Sequence, residues 1–361
     1  VDQDGVMTNL RVGDRFIGLD APALIIAELG VNHDGSVDRA LEMVDLAADC
    51  GADAVKLQVF RAQTLLHRSC RLAEYQERSG APSDPAEMLR KYELPPDALR
   101  TIAAHIRKRG LLPVATPFSP TDIPTLATLN LAAVKIASPD LVNRVLLREA
   151  TSLSLPLLLS TGAATLEEID HTVGWLGEGQ TPFALLHCIS SYPTEAQEAH
   201  LSWISDLKTR FGVPIGFSDH TTDITCGALA VAAGARLIER HLTYNRSAPG
   251  PDHCASSDPE EFARYVTLIR AAEKMLGSGG KRVLPCEEDV RTVSRQSLIL
   301  RRDVPARASI CRDDLTVQRP GTGISAARID DVLGKRATRD LRAGTMLTWE
   351  MIGGEPMRRS A

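Results

Sequence analysis

The chain has 361 residues, 43% of them hydrophobic and 24% charged, with a formal net charge of −5. That length suits one large domain plus a small one, and that balance is ordinary for a soluble globular protein. The acidic excess argues against a general nucleic-acid binder, and no apolar run approaches the roughly 18 residues that a membrane span needs.

In chain order, the opening Val1–Met7 has neither a basic region nor an apolar core, so no secretory signal is expected, and Met7 offers an alternative start. Short apolar runs then alternate with amphipathic stretches. Strands are predicted over Ala23–Glu28, Ala54–Phe60, Leu112–Thr116, Ala133–Ser138, Pro156–Thr161, Phe183–Cys188, Pro214–Ser218 and Arg236–His241. Helical patterns fall over Val37–Cys50, Pro96–Arg109, Leu166–Leu176, Asp223–Ala233 and Pro259–Leu276. Near-continuous apolar strands separated by helices mean parallel strands covered on both faces. Eight such units in about 250 residues suit an α/β fold of the (β/α)8 TIM-barrel kind.

After Leu276 the run Gly277-Ser-Gly-Gly-Lys-Arg282 reads as a flexible linker. Further strands are predicted over Gln296–Leu300, Leu315–Arg319, Gly334–Ala337 and Leu347–Trp349, giving a small β-rich domain. The expected organisation is a barrel over 1–277, a linker over 278–292 and the small domain over 293–361. The seven cysteines show no C-x-x-C spacing, which fits a reducing cytoplasm, with Cys188 and Cys226 as small core residues.

Chemistry-bearing residues load one end of the predicted strands. Glu28, Lys56 with Gln58, Thr116 with Ser119, Lys135 with Ser138, and Ser160 with Thr161 all fall at or just beyond C-terminal strand ends. His187 with Ser190, Ser218 with His220, and Glu239 with His241 continue the pattern. Active sites of (β/α)8 barrels sit on that face. A lysine in a buried strand is costly without a counter-charge, so Lys56 and Lys135 together point to a missing anion, with a phosphorylated ligand as the natural candidate. The plainer alternatives are a structural Lys56–Glu28 ion pair and ordinary hydrogen-bonded histidines at His220 and His241.

The segments Ile25-Ile-Ala-Glu28-Leu-Gly30-Val-Asn32-His33, Val55-Lys56-Leu-Gln58, Thr116-Pro-Phe-Ser119 and Ser160-Thr-Gly162 resemble the sialic acid (N-acetylneuraminate) synthase family. So do Gly216-Phe-Ser218-Asp219-His220, Glu239-Arg-His241 and Pro249-Gly-Pro-Asp252-His253. Val317-Gln-Arg319-Pro-Gly-Thr-Gly323 and Leu347-Thr-Trp-Glu-Met-Ile352 are similar to that family's C-terminal antifreeze-like (SAF) domain. The resemblance runs in register over residues 13–352.

The resemblance implies a C–C bond-forming transferase. It joins phosphoenolpyruvate to an N-acetylated mannosamine-type aldose, giving a nine-carbon 2-keto sugar acid and phosphate. It implies that Lys56, Thr116, Lys135, Ser138, Ser160, Ser190 and Ser218 hold phosphoenolpyruvate, with Glu28 beside it. His220 and His241 would bind a divalent metal, Mn2+ or Mg2+, and Gln58, Tyr192 and Asp252 would contact the sugar. Arg319 would reach the sugar from the partner subunit of a domain-swapped homodimer, and Asp140 would serve acid–base chemistry.

Three departures stand out: Ser138-Pro139-Asp140 replaces a Ser-Gly-acid sequence, Cys254 stands where relatives often carry lysine, and Ser190 replaces an asparagine of some members. Ala73-Glu-Tyr75-Gln76 and Glu87–Leu94 resemble the neuraminic and legionaminic branches. The rivals are a synthase with a phosphorylated or non-mannosamine acceptor, and a non-catalytic carbohydrate-binding homologue.

Overall fold

The computed structural model describes residues 10–18, 21–67 and 85–354; Met7, Cys70 and the Ala73–Gln76 motif lie outside the described residues. The molecule divides into two compact units between Gly277 and Ser278.

The first unit opens with a hairpin, β1 (Leu10–Val12) and β2 (Arg15–Ile17). Eight parallel strands follow: β3 (Leu24–Glu28), β4 (Ala54–Val59), β5 (Leu112–Pro117), β6 (Ala133–Ile136), β7 (Leu157–Ser160), β8 (Phe183–Cys188), β9 (Ile215–Asp219) and β10 (Leu237–His241). They close into a barrel in chain order, with β10 pairing back onto β3. All eight expected strands are present, with ends shifted by a residue or two. Strand β6 stops at Ile136 because Pro139 cannot donate to a ladder, and Ser138–Asp140 turns into a 3-10 helix.

The intervening helices follow local signals. Ser36 caps Val37–Asp49 by accepting from the Arg39 N–H, and Thr165 with Glu168 forms a capping box for Leu166–Glu178. These helices bury apolar faces against the outside of the barrel, where Met43, Val44, Ile102, Ile106, Phe262 and Ile269 are fully enclosed. Among the described residues no helix is long and apolar enough to cross a membrane.

Strand alternation builds the barrel interior in layers. Leu24, Ile26, Ala54, Val114, Ala133, Leu158, Ala184, Leu186 and Leu237 pack inside, and Leu10, Val12 and Ile17 of the hairpin plug the N-terminal end. Gly216 is required there: a Cβ would stand 2.7 Å from the Leu237 carbonyl and 2.8 Å from its Cβ. Two residues further along each strand, the same inward face turns polar. Cys226 is a buried free thiol of the core, as expected, whereas Cys188, also buried and free, lies at the C-terminal end of the barrel with its Sγ 3.7 Å from His220 Nδ1.

The second unit packs Leu298, Leu300, Val304, Ile310, Leu315 and Leu347 into its own core. An antiparallel pair, β11 (Ser297–Leu300) and β12 (Leu315–Gln318), is its one ladder among the described residues. The expected strands at Gly334–Ala337 and Leu347–Trp349 are reduced to single bridges, such as Ser309 to Arg336, and to a 3-10 turn over Trp349–Ile352. Left-handed glycines at Gly334, Gly344 and Gly353 turn the chain too often for longer ladders.

Candidate active site

The polar layer forms the floor of a cavity of about 410 Å3 at the C-terminal end of the barrel. Register places its groups side by side: Glu28 opposite Lys56, Gln58 opposite Thr116, Ser218 opposite Glu239, and Glu28 opposite His241. A larger cavity of about 960 Å3 lies between helices Leu166–Glu178 and Ser202–Phe211, but neither lysine lines it.

Lys56 is buried and donates to Glu239 Oε1 at 2.8 Å. Its ammonium also lies 3.1 Å from Glu28 Oε2, an ion pair outside hydrogen-bond geometry, which leaves that oxygen without a hydrogen-bond partner. Ser218 Oγ donates to Glu239 Oε1 at 2.7 Å, and Gln58 donates to Glu28 Oε1 at 3.0 Å. Lys135 is differently held: its ammonium donates to Ser160 Oγ at 2.6 Å and to the Ile136 carbonyl at 2.9 Å. It has hydroxyl and carbonyl acceptors and no carboxylate in contact among the described residues.

Electrostatics follow from burial and these neighbours. Burial raises the Glu28 carboxyl to about 7, against the pull of Lys56. Burial would also raise Glu239, but Lys135 and Lys56 together hold it well below the usual carboxylate range. Burial disfavours the Lys56 ammonium, yet Glu239 and Glu28 raise its pKa overall. Lys135 is brought down to about 8 by burial, with Glu239 opposing. At neutral pH the floor therefore carries two ammonium groups and a Glu239 carboxylate, with Glu28 near half-protonation.

The loop after β7 brings backbone close to this floor. The Gly162 N–H donates to Ser138 Oγ at 3.0 Å, and a Cβ at Gly162 would stand 2.3 Å from Ser190 Oγ. Ser138, Ser160 and Ser190 thus converge around one backbone segment, with Lys135 beside them. Hydroxyls, an N–H and a cation suit the oxygens of a phosphate.

His220 and His241 lie with ring centroids 5.8 Å apart. The His220 Nδ1–H donates to the Ile189 carbonyl at 2.8 Å, which leaves its Nε2 lone pair available. Burial, then His220, lowers His241 to about 3, so it is neutral, and its buried Nδ1 has no hydrogen-bond partner. Asp252 Oδ2 lies 4.0 Å from that nitrogen. Imidazole nitrogens sit about 2.1 Å from a bound metal, so rings at this spacing can share one ion. Among the described residues no group of three or more His, Cys, Asp or Glu side chains forms a metal cage. The donor set fits a weakly held divalent cation that leaves positions open for other ligands.

Asp252 is positioned by its neighbour. His253 is buried, with Nε2 3.2 Å from Asp34 Oδ1 and Nδ1 2.7 Å from Thr243 Oγ1, which ties this loop to the first βα loop. The Tyr192 ring lies against His220, tilted by 36°, with ring centroids 4.0 Å apart.

Lys56, Gln58, Thr116, Lys135, Ser138, Ser160, Ser190, Tyr192, Ser218, His220, His241 and Asp252 all line the one cavity, with Glu28 beneath it. Asp140 is not among the lining residues. Pro139 takes that place, and the Asp140 carboxylate accepts from Asn143 at 2.9 Å. Arg319 is an exposed residue just past β12 in the second unit. Glu239, which the sequence set at the loaded end beside His241 without assigning it a role, is the internal counter-ion of the floor.

The NeuB family model matches residues 43–281, and the SAF domain model matches residues 295–353. An N,N'-diacetyllegionaminic acid synthase of Legionella pneumophila is 40% identical over 341 residues, covering 93% of this chain and 96% of that protein. Its counterpart of the same name in Campylobacter jejuni is 35% identical over 328 residues, or 90% and 98% of the two chains. A crystal structure of an N-acetylneuraminic acid synthetase from Leptospira borgpetersenii, in complex with citrate, has a TM-score of 0.71. It is 34% identical and covers 79% of this chain and 95% of that one.

Proposed function

The chain belongs to the NeuB family and carries a SAF domain, and from that premise we propose that it condenses phosphoenolpyruvate with an N-acetylated mannosamine-type aldose. The products are a nine-carbon 2-keto sugar acid and phosphate. The observation that carries this reading is the pair of buried lysines in a serine-rich barrel floor, where Lys135 has hydroxyl and carbonyl acceptors but no carboxylate in contact among the described residues. A phosphorylated carboxylate supplies the negative charge that this floor lacks.

In the reaction, C3 of phosphoenolpyruvate forms a bond to the aldehyde carbon, and the aldehyde oxygen takes a proton. Water adds at C2, and phosphate leaves from that carbon, which becomes the ketone. Lys135, Ser138, Ser160, Ser190 and the Gly162 N–H would grip the phosphate, while Lys56, Thr116 and Ser218 would hold the carboxylate end. Glu28, at about 7, can hold or release a proton at neutral pH beside Gln58. His220 and His241 would hold Mn2+ or Mg2+, which when bound supplies Lewis-acid polarisation of the aldehyde. Gln58, Tyr192 and Asp252 would orient the acceptor. Arg319 would be supplied by a second copy in a domain-swapped homodimer, as the family resemblance implies.

An acceptor bearing its own phosphate is less well suited. Among the described lining residues the lysines are Lys56 and Lys135, both on the floor, and no arginine stands at the mouth. The test is phosphate release from phosphoenolpyruvate with Mn2+, offering N-acetylmannosamine and 2,4-diacetamido-2,4,6-trideoxymannose in turn. Release dependent on either sugar is expected. A folded, metal-loaded protein that releases phosphate with neither would overturn the reading.

A further inference from the structure

Strand alternation turns Ser218, His220, Glu239 and His241 toward the cavity, and Asp219 and Arg240 to the outside of the barrel. That outer face is largely apolar beneath its helices, with Ile25, Leu57, Val134, Leu159, Leu185 and Phe217 in the core. Asp219 and Arg240 break the rule. Both are buried, and they stand opposite each other at the last paired position of β9 and β10. Each immediately precedes one of the two histidines.

Arg240 Nη1 donates to Asp219 Oδ2 at 2.7 Å, and the Tyr265 hydroxyl, from helix Pro259–Leu276, donates to the same oxygen at 2.8 Å. Asp219 Oδ1 accepts from the Thr221 N–H and from Thr221 Oγ1, each at 2.8 Å. On the other side, Arg240 Nε donates to Ser257 Oγ at 2.7 Å, and its guanidinium lies over the Tyr265 ring, 4.5 Å from the centroid. Ser257 in turn donates its N–H to the His241 carbonyl at 2.9 Å. One network therefore grips the backbone just past His220, at Thr221, and the backbone of His241 itself.

An ion pair buried this deeply gains little over well-packed apolar side chains, because the cost of desolvation offsets the attraction. What it adds is a single preferred geometry, where apolar contact allows several. Two imidazoles can hold one ion only when a nitrogen of each reaches to about 2.1 Å from the same point. A site with so few protein ligands has nothing else to correct a displaced ring. We propose that Asp219 and Arg240, tied to Tyr265 and Ser257, are positioning residues for the divalent cation: they clamp the ends of β9 and β10 and so set the separation of His220 and His241. The inference rests on the metal role proposed above for the two histidines and adds what keeps them in place.

The test is the Mn2+ dissociation constant of the full chain without substrates, read from the electron paramagnetic resonance signal of free Mn2+. The site is assigned by the loss of binding in His241→Ala. Removing both charges together, in Asp219→Leu with Arg240→Met, avoids stranding either one in the core and should leave a folded protein. Its Mn2+ affinity should fall about 10- to 100-fold, the scale on which residues that orient metal ligands act. Arg240→Lys, which keeps the charge pair, should retain most of the affinity. Asp53→Ala loosens the opposite end of the barrel and should leave the affinity unchanged, so a loss as large in that variant would reduce the effect to general loosening and overturn the inference. A folded double variant with wild-type affinity also overturns it. Should the double variant not fold, Tyr265→Phe decides, because it removes a single donor from Asp219. A severalfold loss supports the clamp, and an affinity equal to the wild type's refutes it. A wild type that binds no Mn2+ overturns the metal role itself, and the inference with it, while the lysine grip on phosphoenolpyruvate stands.

Discussion

The two ends of the barrel are made from the same eight strands and treat buried charge in opposite ways. At the N-terminal end, Asp53 accepts from the Ile25 N–H at 2.8 Å, from Arg15 at 2.7 Å and from Arg270, and Glu273 accepts from the Ala23 N–H. The hairpin side chains Leu10, Val12 and Ile17 close that end with apolar packing. At the C-terminal end, Glu28 Oε2, Thr116 Oγ1, Glu239 Oε2 and His241 Nδ1 are buried without hydrogen-bond partners. Arg236 Nε is the one such atom near the closed end, and its guanidinium still donates to the Ala235 carbonyl through Nη1. Unpartnered buried polar atoms are costly and rare, so their gathering at one end marks where a ligand completes the structure. One end is finished by the protein and the other is left to be finished by substrate.

Breaking each end should therefore produce different losses. The largest effect is expected at Lys56. Lys56→Ala should lower kcat/KM for phosphoenolpyruvate by about 10²- to 10³-fold, the scale on which a charge-stabilising donor is lost from an active site. It also leaves Glu28 and Glu239 facing each other without their shared cation, so thermal stability should fall as well. Turnover near the wild-type rate in a coupled phosphate assay would remove Lys56 from the chemistry.

Asp53→Ala is the matching change at the closed end. It strips two arginines of their acceptor and leaves the Ile25 N–H unsatisfied. Because Arg15 and Arg270 are partly exposed, the expected loss is about 2–3 kcal/mol rather than that of a fully enclosed pair. Denaturant unfolding measures it, and the KM for phosphoenolpyruvate should stay within twofold of the wild type. A raised KM at unchanged stability would mean that the two ends are not independent.

That division was partly legible in the sequence. Apolar runs ending in Lys56, Lys135, Ser218 and His241 gave both the strands and the loaded end, because period-2 alternation fixes which face each side chain takes. Long-range pairing was not legible: Lys56 and Glu239 are 183 residues apart, and only barrel closure makes them partners. The family resemblance placed Asp140 in the site, but it is Pro139 that lines the cavity, and the Asp140 carboxylate accepts from Asn143. Phe60, Leu65, Met88 and Leu89 line the cavity but carry no periodic signal of it in the sequence, since side chains on loops and short helices take their direction from tertiary packing. The second unit lost two expected strands for a related reason, its recurrent left-handed glycines leaving room only for single bridges.

The smallest effect sharpens the comparison within the open end itself. Lys56 is bound to two carboxylates that raise its pKa, so it stays charged at alkaline pH, whereas Lys135 has been brought down to about 8 by burial. In the free enzyme Lys135 is an ammonium below pH 8 and a neutral amine above it. The KM for phosphoenolpyruvate should then rise above pH 8, by at most about tenfold per pH unit for the loss of one charge. Stability should move the other way. The folded pKa lies below the unfolded one, so between pH 8 and the ordinary lysine range the unfolded chain binds the extra proton, and stability increases as pH rises. Weaker binding with a firmer fold, both absent in Lys135→Met, would identify Lys135 as a charge kept for the ligand rather than for the barrel. If the KM stays flat from pH 7 to 9, Lys135 is not that charge, and the open end owes its anion affinity to Lys56 and the serine hydroxyls.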